Sequence, residues 1–231
     1  MSSSDRLPAT LRRVIAYSGV GAESMSGRAE LTQVGKMWRA PDARPLAFTA
    51  TQWIEAASMA FSWRARFPLL PGFPLHITDA FENAQGRLEG RLWGWLKLFR
   101  QTGPEIDRGE VYRYLAELPW APAAYTANRA LTWEERGSEG LRVSCEMAGR
   151  TLRLDFHVDH AGRITSARAE DRPDEVNGAF VERPWTGRFD NWQRLGGVMI
   201  PTEAEVAWET TDGPFTYWRG TVTTYTLKGA V

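Results

Sequence analysis

The 231-residue sequence predicts a mainly β protein of antiparallel strands, with one helix near its start and one inserted midway. Most of the chain alternates apolar and polar residues with period two, the pattern of a strand that buries one face. The connections between these runs are short and rich in turn formers, as in AGR (148–150), DHAGR (159–163) and TDGP (211–214). Such links join antiparallel neighbours and leave no room for the crossover helices of a parallel sheet. Eleven tryptophans are spread along the chain, several beside an arginine or an acid, as in FSWRARF (61–67), ERPWTGRFDNW (182–192) and TYWRG (216–220). Large planar surfaces close to fixed charges suit a pocket for a mostly apolar molecule with a polar handle.

The elements follow in order. Leu7, Leu11, Val14 and Ile15 recur at helical spacing, Pro8 suits a first turn and Gly19 a stop, which predicts a helix over about residues 8–18. After the loop SGVGAESMSG (18–27) come strand runs AELTQVGKMW (29–38), FTATQWI (48–54), MAFSWRARF (59–67), LHITDAF (75–81) and GRLEGRLWGWL (86–96). In the third of these, Phe61, Trp63, Ala65 and Phe67 share one face. Asp107 and Glu110 stand at capping-box spacing before VYRYLAEL, and Pro119 follows, so a second helix is expected over about 108–118. PAAYTA (122–127) reads as a short helical turn. From Arg129 the chain is again a meander: ALTWEER, LRVSCEM, TLRLDFHVD, RITSARAED, GRFDNW, VMIPTEAEVAWET and FTYWRGTVTTYTL. No segment repeats, and the β-rich body over about 29–228 reads with the N-terminal helix as one domain, 1–231.

Composition narrows the function. The 28 basic and 28 acidic residues cancel, so no net field draws nucleic acid to the chain, and nucleic-acid binding is disfavoured. No run reaches the about 18 uncharged apolar residues of a membrane span. The longest apolar patch, LWGWLKLF (92–99), is short and carries Lys97. No signal-peptide pattern opens the sequence, and the expected location is cytoplasmic. The single cysteine, Cys145, excludes an internal disulfide and a multi-cysteine zinc site, and reads as a small buried hydrophobe. His157 and His160 form H-x-x-H, but in DFHVDHAGR a strand passes into a turn, which sends the two rings in different directions; no metal site is expected. There is no G-x-S-x-G elbow, and Gly19-Val20-Gly21 follows a helix rather than a strand, so neither a serine nucleophile nor a nucleotide, flavin or other cofactor is expected.

What remains is charge set among aromatic residues: Arg64, Arg66, Asp79, Arg113, Glu117, Asp171, Arg172, Arg183 and Arg219. On VYRYLAEL the apolar stripe is Val111, Tyr114, Leu115 and Leu118, which leaves Arg113 and Glu117 together on the opposite face at i, i+4 spacing. They are either a solvated pair worth a few tenths of a kcal/mol or a pair turned toward a cavity.

The succession FSWRARF, ITDAF, RYLAELPWAPAA, LTWEE, AEDRP, RPWTGRFDNW, GGVMIPTEAEVAWE and YWRG resembles a bacterial family known only as a domain of unknown function. The resemblance runs from about Leu31 to Tyr225, and its most specific parts are RYLAE-x-x-W-x-P and IPTEAEVAW. Its pattern marks Trp63, Asp79, Arg113, Glu117, Trp120, Arg172, Trp185, Pro201, Trp208 and Trp218. The architecture is similar to the lipoprotein-carrier-like fold, which implies a strongly curved antiparallel sheet, an open half-barrel partly closed by helices over an apolar cavity.

Three functions are then open. The first is binding of an apolar or planar aromatic small molecule, lipid-like with an anionic end, by Trp63, Arg113, Glu117, Trp120, Arg172, Trp185 and Trp218. The second is a cofactor-independent enzyme in the same cavity, with Glu117 or Asp171 as general acid or base and Arg113 or Arg172 stabilising developing charge. The third is an interaction module whose aromatic interior is filled. The sequence sets neither the ligand nor the oligomeric state.

Overall fold

The computed structural model describes residues 7–21 and 27–229, so part of the loop read over 18–27 lies outside the described residues. Helix α1 (Ala9–Ser18) follows Pro8 and stops at Gly19, whose φ of 67° only glycine takes freely. Strands β1 (Gly27–Met37), β2 (Leu46–Glu55), β3 (Phe61–Leu70), β4 (Phe73–Glu82), β5 (Gln85–Leu92) and β6 (Leu96–Gln101) form a first meander. Helix α2 (Pro104–Ala116), a 3-10 turn (Leu118–Trp120) and the short α3 (Ala124–Ala127) come next. A second meander holds β7 (Thr132–Glu135), β8 (Gly140–Met147), β9 (Arg150–Val158), β10 (Ile164–Val176), β11 (Ala179–Leu195), β12 (Val198–Thr210) and β13 (Gly213–Gly229).

Antiparallel pairing of β1 with β13 joins the two meanders into one 13-stranded sheet, in the order β6-β5-β4-β3-β2-β1-β13-β12-β11-β10-β9-β8-β7. Helix α2 therefore connects the two edge strands, and it packs against β4 and β5 in one wing and β9 and β10 in the other. Strands β5 and β10 stand eight places apart in the sheet, about 38 Å if it were flat, whereas a helix is about 10 Å across. One helix touching both requires a curled sheet, a half-barrel with α2 laid across its concave side.

The core lies on that concave side. Its rows alternate as period two demands: Phe61, Trp63, Ala65 and Phe67 of β3 are buried while Arg64 and Arg66 are exposed. Leu152, Leu154, Phe156 and Val158 do the same on β9. Where β1 meets β13, Gly35 lies opposite Gly220, and the rings of Phe48 and Trp218 rest on this bare backbone. A Cβ on Gly35 would meet Phe48 Cζ at 2.5 Å and one on Gly220 would meet Trp218 Cη2 at 2.2 Å. Of the four tryptophans centred in strand runs, Trp63 and Trp218 are buried, while Trp133 and Trp208 are half-buried.

Three expectations need correction. The second helix begins at Pro104, not near 108: Gly103 and Pro104 set its start, and Asp107 instead accepts a hydrogen bond from the Gly86 N–H of β5 (2.6 Å). It ends at Ala116, before Pro119, which sits inside the following 3-10 turn. The run GRLEGRLWGWL is two strands rather than one, because Trp93 and Gly94 take φ of 55° and 82° and turn β5 back into β6.

The two meanders share the β1–β13 ladder and the helix, so they are expected to unfold together. Tryptophan fluorescence and far-ultraviolet circular dichroism should report one coincident denaturant transition; two separated transitions would mean that the wings fold independently.

Candidate functional site

Helix α2 is buried nearly all round, which its apolar stripe alone did not foretell. Val111, Tyr112, Tyr114 and Leu115 are fully buried, and Arg108, Glu110 and Glu117 are, more surprisingly for their chemistry, nearly so. Charge at these depths survives only if it is paired. Arg113 is the hub: its Nε donates to Glu117 Oε1 (2.8 Å), its Nη1 is paired with Asp79 Oδ2 of β4, and its guanidinium carbon lies 5.2 Å from the Trp63 ring centre and 5.1 Å from that of Phe61. On the sheet, Gln52, Trp63 and Asp79 are directly opposite neighbours on β2, β3 and β4, which sets them in one row beneath the helix. Gln52 Nε2 donates to Glu117 Oε2, and Trp63 Nε1 donates to Gln33 Oε1 (2.9 Å). Arg113 and Glu117 thus face the concave interior rather than solvent.

The second arginine is held differently. Arg172 on β10 has its guanidinium carbon 4.8 Å from the Trp185 ring centre and 5.0 Å from that of Trp208. Its one hydrogen bond among the described residues runs from Nε to the Gly109 carbonyl of α2 (3.3 Å), and no carboxylate is in ion-pair contact with it. Trp185 Nε1 donates to the Tyr217 hydroxyl (3.1 Å), and Tyr217 stacks on Trp208, so the aromatic walls around Arg172 are themselves fixed.

Between helix and sheet lies a cavity of about 340 Å³. Trp63, Arg113, Glu117 and Trp120 line it from one side, Arg172, Trp185 and Trp218 from the other, so the seven residues named from the sequence as ligand contacts share one space. Asp171 is not part of the lining: it accepts a hydrogen bond from the Tyr112 hydroxyl (2.5 Å) and ties α2 to β10. Gly187, flanked along its strand by Trp185 and Phe189, also lines it. Trp120 is anchored through Nε1 to the Pro201 carbonyl (2.8 Å) and stands edge-on to Trp218 at 6.4 Å.

Sequence reasoning missed the most perturbed acid here. Glu110, read as half of a helix cap, is a buried wall of the cavity, and burial, with the Asp79 charge close by, pushes its carboxyl well above the usual carboxylate range. Its capping-box spacing was real, but a proline three residues before Asp107 already opened the helix. Burial also raises Glu117, against the pull of Arg113. For Arg113 itself burial works to lower the pKa, and Glu117, Asp79 and Glu110 together outweigh it and keep the guanidinium charged. Glu110 Oε2, Asp79 Oδ1 and Gln52 Oε1 are buried acceptors without a hydrogen-bond partner among the described residues, so a proton on Glu110 supplies a donor where acceptors are in surplus.

Cys145 and His157 stand apart from this site. Cys145 is buried in β8 and burial pushes its thiol up to about 12, which makes it unreactive. His157 is exposed and contacts Thr165 through Nδ1 (3.0 Å), and among the described residues no three His, Cys, Asp or Glu side chains are grouped to hold a metal ion.

A curled antiparallel sheet with a strut helix over an aromatic cavity is an open half-barrel. The chain belongs to a family of unknown function, DUF6544, whose model matches residues 1–220. Among solved structures it is similar to a domain from Vibrio parahaemolyticus described for outer membrane lipoprotein sorting, at 10% identity and a TM-score of 0.51, covering 96% of this chain and 92% of that one. It also matches a LolA superfamily protein from Nitrosomonas europaea, at 11% identity and a TM-score of 0.49 over 96% and 94% of the two chains. At such identity the Vibrio likeness speaks for the fold alone. No match is found among curated proteins. No described helix is long and apolar enough to cross a membrane.

The Glu110 carboxyl holds its proton more tightly in the folded chain than in the unfolded one. Stability should therefore fall as pH rises from about 4.5 toward the raised value, by up to about 1.4 kcal/mol per pH unit. Glu110→Gln keeps the shape and the neutral form, so its stability should exceed that of the wild type above this window and lose that part of the slope. Denaturant midpoints measured across pH check this; parallel profiles for the two proteins would contradict it.

Proposed function

We propose that the chain binds an apolar or planar aromatic small molecule, lipid-like in carrying an anionic end, inside the tryptophan-lined cavity. One observation supports this reading: Arg172 lies on the cavity wall against two indole faces, with neither terminal nitrogen hydrogen-bonded among the described residues. A guanidinium in ion-pair contact with no carboxylate, with Glu110 and Asp174 near enough only to feel its charge, and oriented by stacking, is suited to a ligand's carboxylate or phosphate, with the forked geometry such groups accept. Arg113 is not equivalent, because Glu117 and Asp79 already neutralise it. Within this reading Arg172 receives the anionic end, while Trp63, Trp120, Trp185 and Trp218 supply apolar contact. A volume of about 340 Å³ falls at the lower end of small-molecule sites, which favours a compact ligand over a large one. The cytoplasmic location belongs to the same proposal and is tested by cell fractionation.

A second reading has its own support. Glu117 and Glu110 are acids raised above the usual range on a cavity wall beside a charged arginine, the pairing used for proton transfer in cofactor-independent enzymes. In that reading Glu117 is the general acid or base, and Asp171, outside the lining, drops to a positioning role through Tyr112.

Native mass spectrometry of freshly purified protein looks for a retained molecule. A direct test uses a fluorescent fatty acid and the matching fatty alcohol as probes. Arg172→Gln should weaken the acid by about tenfold or more, the worth of one charge-assisted hydrogen bond, and leave the alcohol nearly unchanged. Equal loss of both probes would mean that Arg172 only shapes the cavity, and no binding of either by the wild type would remove the lipid-like ligand.

A further inference from the structure

Eleven large apolar side chains stand exposed among the described residues, and all but Val34 sit on three hairpins: β3–β4, β5–β6 and β10–β11. Alternate turns of an antiparallel meander lie at the same end, and the β1–β13 pairing carries that alternation across the sheet, so these three hairpins turn at one end of it. Leu70 is 65% and Trp95 69% exposed there. The first two turns are joined into one tip: Trp93 packs on Phe73 at 5.2 Å, stacks on Trp95 at 6.0 Å, and donates through Nε1 to the Gly72 carbonyl (2.6 Å). Trp93 also holds a φ of 55°, costly for a bulky residue where Asn or Gly would sit freely, as Asn177 and Gly178 do in the β10–β11 turn. An apolar cluster of this kind on a surface marks an interaction site.

The charge behind the tip is mostly positive, with Glu89 of β5 as the acid among it, paired to Arg91 (2.5 Å) and directly opposite Arg100. On the convex face Arg66, His76, Arg91 and Lys97 are directly opposite neighbours on β3, β4, β5 and β6. Basic groups so aligned weaken a sheet, and Glu89, paired to Arg91, offsets only one member of the row. No acid occurs from Arg64 to Thr78 or from Gly90 to Pro104, although the whole chain is neutral. Arg64, Arg66, Lys97 and Arg100 are exposed and enter no ion pair among the described residues. Lysine on the edge strand β6 guards against edge pairing with a second chain, which turns the surface away from that occupant. Indoles at a tip with lysine and arginine just behind them match the headgroup layer of a membrane, where amphipathic rings settle at the interface and cations meet phosphates.

We propose that this end of the half-barrel docks on the surface of an anionic lipid bilayer, Leu70, Phe73, Trp93 and Trp95 entering the interface while Arg66, Lys97 and Arg100 contact lipid phosphates. The chain rests on the membrane and does not span it. Phe180, 42% exposed on the third hairpin, is also a wall of the cavity, so the cavity reaches the same end. The docking does not depend on what the cavity holds, and vesicle binding and probe binding fail or succeed separately.

Flotation of the full chain with vesicles tests it. Wild type should float with phosphatidylcholine–phosphatidylglycerol vesicles, about tenfold less with phosphatidylcholine alone, and less at high salt. Leu70→Ser with Trp95→Ser, at exposed positions that leave the melting curve intact, should abolish flotation on both. Lys97→Gln with Arg100→Gln should remove only the preference for the anionic lipid. Background flotation of the wild type, or unchanged flotation of both variants, overturns the proposal. So does a doubling of mass in light scattering that the Leu70→Ser, Trp95→Ser protein loses, since a second copy would then own this surface.

Discussion

Helix α2 is clamped from both sides by polar contacts, and the rest of the structure depends on that clamp. Toward one wing, Arg113 engages Asp79 of β4, Glu117 meets Gln52 of β2, and Asp107 takes the Gly86 N–H of β5. Toward the other, Arg108 reaches Glu182 of β11 (2.8 Å), the Tyr112 hydroxyl reaches Asp171 of β10, and the Gly109 carbonyl receives Arg172. A sheet of thirteen strands has no ladder hydrogen bonds to hold its curl; this helix joins the wings through side chains, and Gln101 of β6 donates to Glu175 of β10 across the same gap.

Such a clamp is an odd choice if stability were all that mattered. Buried ion pairs recover little more than the cost of desolvating them, and well-packed apolar residues of similar volume hold elements together at least as well. Here three acids, Asp79, Glu110 and Glu117, gather around one arginine, and the surplus acceptors are left without protein donors. The arrangement holds the helix in one register over the sheet while lining the cavity with groups that respond to a ligand's charge or proton. Arg172 completes it across the cavity, stacked on aromatic faces and in ion-pair contact with no described carboxylate.

Much of this was legible from residue order. Period two gave the strands, and the short turns gave their antiparallel pairing, because both are local properties. The tight turn at Trp93-Gly94 was hidden since two tryptophans make an apolar run look continuous, and only the positive φ of both residues breaks it. The family pattern marked Arg113, Glu117, Arg172 and the tryptophans, and the structure gathers them around one cavity. Glu110 was masked by its position: three residues after an Asp at a helix start, a glutamate reads as a cap, and nothing local says that Asp107 is engaged by β5 instead. Asp171 erred the other way, since a bulge in β10 between Ala169 and Arg172 shifts the alternation that assigns faces. Which faces meet across the curl is a property of the whole sheet, and periodicity within one strand does not contain it.

The central claim, that the charge cluster around Arg113 holds α2 across the curled sheet, is tested most directly by hydrogen exchange on Arg113→Met. Removing the guanidinium leaves Asp79 and Glu117 buried and uncompensated, at about 3 to 5 kcal/mol. Amide protection in α2 should then fall by about two orders of magnitude or more through local opening, while the hairpin of β8 and β9 keeps more of its protection. Unchanged protection throughout α2 would contradict the account, because the helix would then be held by its apolar contacts alone.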